Sequence, residues 1–199
     1  MPKKNKSKEN FSSVGENFFV VSPEKKKKLL GIFLVILALL IFLSILTYSR
    51  YDESSLYGLS DIFNLIFSPS AELSKRAAEI HNWLGIIGAN ISYFFVLSII
   101  GCFSIIFPVI MFIWGYTVLR KEKNYRIALH LSNFFLITGL ILSTFFGLLQ
   151  FTYDIALFKD VRELSGKVGL FLGTLLSRLL GGVGSIIFLS AALLVTMII

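Results

Sequence analysis

Apolar residues run along this chain in four uninterrupted blocks. No charged residue falls within Leu29–Ser49, Asn82–Leu119, Ile127–Tyr153 or Leu179–Ile199, which hold 21, 38, 27 and 21 residues. Crossing a bilayer core of about 30 Å at about 1.5 Å per helical residue takes about 20 apolar residues. Each block therefore predicts a transmembrane helix. The strands of a membrane barrel are about ten residues long and alternate in polarity, so that architecture is excluded. A cleaved signal is excluded too, because the first block is long, starts after 28 residues and is followed by three others. The predicted fold class is all-α integral membrane.

The second block is too long for one crossing, since 38 residues would make a helix of about 57 Å at about 1.5 Å each. It must break. Upstream, Ser68-Pro69 reads as an N-cap followed by proline at the first helical position, with Glu72 in the first turn. Leu73, Ala77, Ile80, Leu84, Ile87 and Ile91 then recur at steps of four and three, while Lys75, Arg76, Glu79, Asn82 and Asn90 take other positions. This pattern predicts an amphipathic helix lying in the outer membrane interface, with Trp83 at headgroup level and Gly85 and Gly88 on the same segment. Spans are expected at about 29–48, 94–119, 130–150 and 179–199, joined by outer connections 49–93 and 151–178. Pro108 inside the second span is expected to bend it.

A shift of 81 residues superposes Gly85, Gly88, Gly101, Ser104, Ile105, Ile106 and Phe107 on Gly166, Gly169, Gly182, Ser185, Ile186, Ile187 and Phe188. Paired glycines at matched offsets from an identical Ser-Ile-Ile-Phe point to duplication. The expected architecture is two repeated hairpins of like orientation, each made of span, outer loop, interfacial amphipathic helix and span. Small residues form two ladders at four-residue steps: Gly139, Ser143 and Gly147, then Gly169, Gly173, Ser177, Gly181 and Ser185. Such spacing lets helix backbones approach closely in lipid. Packing within one chain and packing between subunits are both open here, the second ladder leaning toward subunit contact.

Composition agrees with the pattern. Apolar residues make up 55% of the chain and charged residues 16%, with mean hydropathy +0.79, where soluble domains carry about 25% charge. Charge then orients the helices. Segment 1–28 carries eight lysines against three acids, and 120–126 carries Arg120, Lys121, Lys123 and Arg126 against Glu122. The two outer connections are together close to neutral. Basic excess in short loops marks the cytoplasmic side, so both termini are expected in the cytoplasm. Segment 1–28 reads as a basic, disordered tail before the membrane domain 29–199, with Lys25–Lys28 anchoring the first span and pairing with anionic lipid rather than with nucleic acid.

Chemistry is sparse. Cys102 is a lone cysteine in an apolar run, and His81 and His130 stand apart from any ligand spacing. No phosphate-binding loop, H-E-x-x-H, G-x-S-x-G or C-x-x-C occurs. No catalytic, cofactor or metal residues are assigned, and the chain is not expected to be an enzyme by itself. The span centres lack ionisable residues, with Arg178 at the mouth of the fourth and Asn90 facing water or headgroups. A small transporter or channel subunit, which usually carries such residues, is the alternative.

Asn82-Trp83-Leu84-Gly85-Ile86-Ile87-Gly88-Ala89, then Gly101, Pro108 and Trp114-Gly115-Tyr116, resemble the four-span N-terminal region of FtsK/SpoIIIE-type DNA translocases. Leu46–Asp52, Gly166-x-x-Gly169 and Leu179-Leu180-Gly181-x-x-Gly184 are similar to other parts of it, so the resemblance covers roughly 25–199. It implies an inner-membrane anchor at the division septum, a hexameric assembly and contacts with division-machinery proteins. In that family an ATP-driven motor that pumps chromosomal DNA lies further along, behind a linker. These 199 residues stop at the fourth span, so they are expected to be either the anchoring piece of a longer translocase or a free-standing relative, without direct contact to nucleic acid.

Overall fold

A computed structural model describes residues 22–55, 67–68, 70–120, 125–152 and 162–198. Helix α1 spans Pro23–Leu46, α2 Ala71–Ala78 and α3 Gly85–Tyr93. A π-helical turn, Phe94–Ile100, and a 3-10 segment, Gly101–Ile105, connect α3 to α4, Ile106–Leu119. Helix α5 covers Arg126–Thr152 and α6 Arg162–Ile198. Four helical stretches, Pro23–Leu46, Gly85–Leu119, Arg126–Thr152 and Arg162–Ile198, are long and apolar enough to cross a bilayer. The expected class, all-α and four-span, is the one found.

The helices pair two by two. Helix α1 packs along α4, and α5 packs along α6. The interior inverts the soluble pattern: Ser44, Ser104, Ser143 and Ser185 are completely buried, while Leu29, Phe33, Phe171, Leu179 and Ile187 are more than half exposed. Lipid is as apolar as leucine, so large side chains gain nothing by leaving it, and small residues win the interior because they bring backbones together. Among the described residues, one apolar cluster forms around Ile41, Ile45 and Val96, flanked by Leu37, Tyr48, Ile91 and Phe95.

The glycine ladders face each other inside the chain. Ser143 Oγ donates to the Ser165 carbonyl at 2.7 Å, and Thr152 Oγ1 and Ser177 Oγ lie 2.9 Å apart. Between those two rungs, a Cβ on Gly169 would stand 2.5 Å from the Ser143 carbonyl oxygen, and one on Gly173 would stand 2.6 Å from the Gly147 carbonyl carbon. The contacts climb α5 as they climb α6, so the two run in the same direction there. Gly139 receives the Ile106 side chain instead. Gly181 has open space around it, and Ser185 Oγ turns back to the Gly181 carbonyl at 2.6 Å. Sequence reading passed over a second seam, in which Gly31 and Gly115 oppose each other, a Cβ on either lying 3.1 Å from the other's carbonyl oxygen.

Several expectations need correction. Residues 23–28, assigned to the disordered tail, form the first turns of α1, because Pro23 sits at the helix start with Glu24 behind it. Residues 1–21 lie outside the described ones. The amphipathic helix starts at Ala71 rather than beside Ser68, and it ends at Ala78 rather than running through Ile91. Pro69 is outside the described residues. The bend expected at Pro108 falls at Ile99–Gly101 instead, where Gly101 takes φ +70°. Pro108 sits in the first turn of α4, where its missing N–H would have had little to bond. The second outer segment, expected to lie in the interface, packs along α5 over Gly169–Ser177, since glycine lets the backbones touch.

Four glycines mark the breaks: Gly85 and Gly166 at φ +62°, Gly101 and Gly181 at φ +70°. A side chain held at such positive φ costs about 1–3 kcal/mol. Only two of the four sites are also crowded. A Cβ on Gly166 would stand 2.5 Å from both the Gly101 nitrogen and the Ile99 oxygen, and one on Gly101 would stand 2.6 Å from the Glu163 oxygen. Gly85 and Gly181 have nothing within 4 Å. We therefore expect Gly85→Ala and Gly181→Ala to cost about 1–3 kcal/mol each, and Gly101→Ala and Gly166→Ala to cost clearly more. Denaturation of the purified chain in detergent would check the order.

Candidate functional site

Two polar clusters organise the end of the molecule remote from the basic 120–126 connection. The first gathers around Asp52, which lies in a 3-10 turn, Arg50–Ser55, just past α1 and is only 3% exposed. Its Oδ1 accepts the His81 backbone N–H at 2.8 Å and its Oδ2 accepts that of Asn82 at 3.0 Å. The His81 ring nitrogen Nδ1 lies 3.3 Å from the same carboxylate. An ionised carboxylate is an acceptor on both oxygens, so it can hold two consecutive amides at once.

Asn82 completes the cluster. Its Nδ2 donates to the Ser44 carbonyl at 2.9 Å and to the Thr47 carbonyl at 3.2 Å. Those carbonyls belong to the last turn of α1 and the residue after it, where helical partners run out. Asn82 Oδ1 accepts the Leu84 N–H at 3.1 Å, an Asx turn that redirects the chain. Gly85 follows at φ +62°, and α3 begins. Ser44 Oγ donates to the Gly88 carbonyl at 2.7 Å. Close approach at Gly88 is required, because a Cβ there would stand 2.5 Å from that of Leu84 and collide with Asn82.

These bonds explain why the amphipathic helix stops at Ala78. The amides of His81, Asn82 and Leu84 are taken by side-chain oxygens, so they cannot continue an i to i−4 ladder. Trp83 is thus on the turn rather than on a helix, 76% exposed, with its backbone N–H donating to Thr47 Oγ1 at 3.4 Å. Asn90, expected to face water, is half-buried and bonds the Ile86 carbonyl of its own helix at 2.9 Å.

The second cluster joins the two helix pairs. Arg50 Nη2 donates to Glu163 Oε2 at 2.6 Å, Ser165 Oγ donates to Gln150 Oε1 at 2.6 Å, and Gly101 and Gly166 touch backbone to backbone. Cys102 Sγ lies 3.9 Å from the Leu164 carbonyl, beside this junction. Arg178, over the Phe151 ring at 5.9 Å, marks the end of α5. His130 is exposed on α5.

Of the residues singled out from sequence, Gly85 and Gly88 belong to the first cluster. Gly139, Ser143, Gly147, Gly169, Gly173 and Ser177 line seams within the chain, and Gly181 and Ser185 lie beyond them. Sequence reading missed Ser44 as a donor and the Asp52–Asn82 partnership. Asn82-Trp83-Leu84-Gly85 was the available signal, an asparagine turn followed by a left-handed glycine. Among the described residues, what these two clusters do is clamp helices.

A buried amide left without its acceptor costs about 1–3 kcal/mol. Asp52→Ala is expected to destabilise by about 2–4 kcal/mol on that basis, and Asn82→Ala by about 2 kcal/mol. The double variant should cost less than the sum, because both act in one network. Thermal melts of the four proteins in detergent check this.

Residues 24–199 match the model of a family described as the 4TM region of DNA translocase FtsK/SpoIIIE. Neither a curated protein nor a solved structure matches the chain.

Proposed function

The chain belongs to the FtsK/SpoIIIE 4TM family, and from that membership we propose that it anchors and helps assemble a DNA translocase at the division septum of a bacterial inner membrane. Membership supports the anchoring role directly: this is the membrane part of such translocases. Roles in cell division and chromosome partition extend that reading. ATP hydrolysis and DNA movement belong to a motor, and no phosphate-binding loop occurs in these residues. The chain acts through protein and lipid contacts.

Charge supports the orientation. Basic segments 1–28 and 120–126 favour the cytoplasmic face, which puts both termini where an internal motor could attach. Self-association is the second element of the proposal, with a hexamer suggested by the family resemblance. The far part of α6 supports it through its small residues: Gly181, Gly182 and Ser185 follow one another there, and small residues let helices of two copies approach closely in lipid. Gly184 sits among them, and a Cβ there would meet only Leu180 of the same helix, at 3.3 Å.

The observation that carries this reading is the family match over 24–199. A fluorescent fusion imaged in dividing cells tests it: enrichment at midcell is expected, and uniform membrane label overturns the septal role. Solute or ion flux through proteoliposomes of the purified chain would favour a transporter instead. Gly184→Leu is expected to leave the fold intact and shift the chain to smaller species on native gels. Unchanged size would remove this helix face from the assembly.

A further inference from the structure

Helices α4 and α5 touch along one seam. Ile106 fills the place of a side chain at Gly139, Trp114 Nε1 donates to Ser132 Oγ at 3.0 Å, and the Trp114 and Tyr125 rings stack with centroids 6.2 Å apart. Beside this seam the helices leave a cleft of about 360 Å³, lined by Phe112, Ile113, Tyr116, Thr117, Ile127 and Leu131. That volume lies in the range of small-ligand sites, about 300–1,000 Å³. The cleft offers an occupant almost no polar group, because the Thr117 hydroxyl is turned to the Ile113 carbonyl of its own helix at 2.7 Å.

The rim is of opposite character. Arg120 ends α4 and Arg126 begins α5, and segment 120–126, these two arginines included, carries a net charge of +3. The Arg120 guanidinium lies 5.0 Å from the centroid of the Tyr116 ring, and Tyr116 is itself a wall of the cleft. The stacking positions a cation at the mouth of an apolar slot. An apolar slot with a cationic rim, at the level of a membrane surface, complements an acyl chain that ends in an anionic headgroup.

We propose that this cleft binds an anionic phospholipid, one acyl chain between α4 and α5 and the headgroup phosphate on Arg120 and Arg126. The lipid fills the space the Trp114 seam leaves open and bridges the two helix pairs near the basic connection. The site is separate from the polar clusters, and it stands whether or not the chain serves a septal translocase.

Native mass spectrometry of the full chain, released from detergent in the presence of phosphatidylglycerol or phosphatidylcholine of matched chains, tests the proposal. Phosphatidylglycerol is expected to bind about 25-fold more tightly, since each of the two basic side chains contributes about fivefold for anionic lipid at a membrane surface. The double variant Arg120→Gln, Arg126→Gln should lose that preference while still retaining lipid. Ile113→Trp and, on the opposite wall, Leu131→Trp should each reduce binding of both lipids by filling the slot. Circular dichroism shows whether each variant keeps its helices, and the wild-type comparison of the two lipids needs no variant. Equal binding of the two lipids overturns the proposal. Loss of preference in the arginine variant with both tryptophan variants unaffected also overturns it, because the lipid would then be adsorbed on the charged surface only. A tryptophan variant that changes the oligomeric state and leaves lipid binding intact would assign the cleft to a second copy, and the lipid site would fall.

Discussion

Gly101 and Gly166 meet backbone against backbone, and the rest of the molecule is arranged around that contact. Each is the point where a helix breaks, each has φ in the left-handed region, and a Cβ on either would collide with the main chain of the other segment. Among the described residues the α1–α4 pair and the α5–α6 pair share no apolar cluster, so their relative placement rests on this touching of main chains, on the ion pair of Arg50 with Glu163 and on the α4–α5 seam of Ile106 against Gly139 and Trp114 on Ser132. In lipid the choice is a physical one. Burying leucine against leucine gains little where leucine is already in an apolar solvent, whereas close backbones gain dispersion contacts and hydrogen bonds.

Breaking a helix inside a bilayer releases carbonyls and amides that water is not there to satisfy. The buried serines resolve that difficulty. Ser104 Oγ donates to the Phe95 carbonyl, Ser143 Oγ to the Ser165 carbonyl and Ser185 Oγ to the Gly181 carbonyl, each acceptor lying at or near a break. Asp52 and Asn82 perform the same service at the turn before α3, for donors and acceptors together. Sites that look like scattered hydroxyls and amides are one system, which makes non-helical backbone tolerable in four places.

Much of this was legible in the sequence. Spans follow from block length alone, the need for a break in Asn82–Leu119 follows from bilayer thickness, and paired glycines at matched offsets flagged the positions that matter. Two of those, Gly85 and Gly166, share a φ of +62°, while Gly101 shares its φ of +70° with Gly181 rather than with the aligned Gly182. What escaped was long-range pairing. Periodicity assigned Asn82 to the polar face of a helix, yet it is 4% exposed, because Asp52, thirty residues earlier, captures the amides that a helix would need. A one-dimensional pattern has no means of showing that competition. Pro108 draws the expected bend to itself for a similar reason: proline is visible as a breaker, but a glycine breaks a helix only if a neighbour holds it there, and that neighbour, residues 163–166, lies far along the chain.

The distribution of these contacts bears on how such a module could transmit force. The end remote from the basic connection is clamped three times over, by the Asp52 and Asn82 cluster, by the glycine junction and by the Ser143–Ser177 seam. At the basic end, α4 and α5 meet mainly through Trp114, with an apolar cleft beside it. A pull applied at that end would therefore be resisted by main-chain contacts at the far end, acting through helices about 20–40 Å long at about 1.5 Å per residue. Rigidity at one end and accommodation at the other suit an anchor better than a gate. A gate needs a bistable element near its pore, and here the helix breaks are locked by glycine conformation and side-chain bonds rather than left free to exchange.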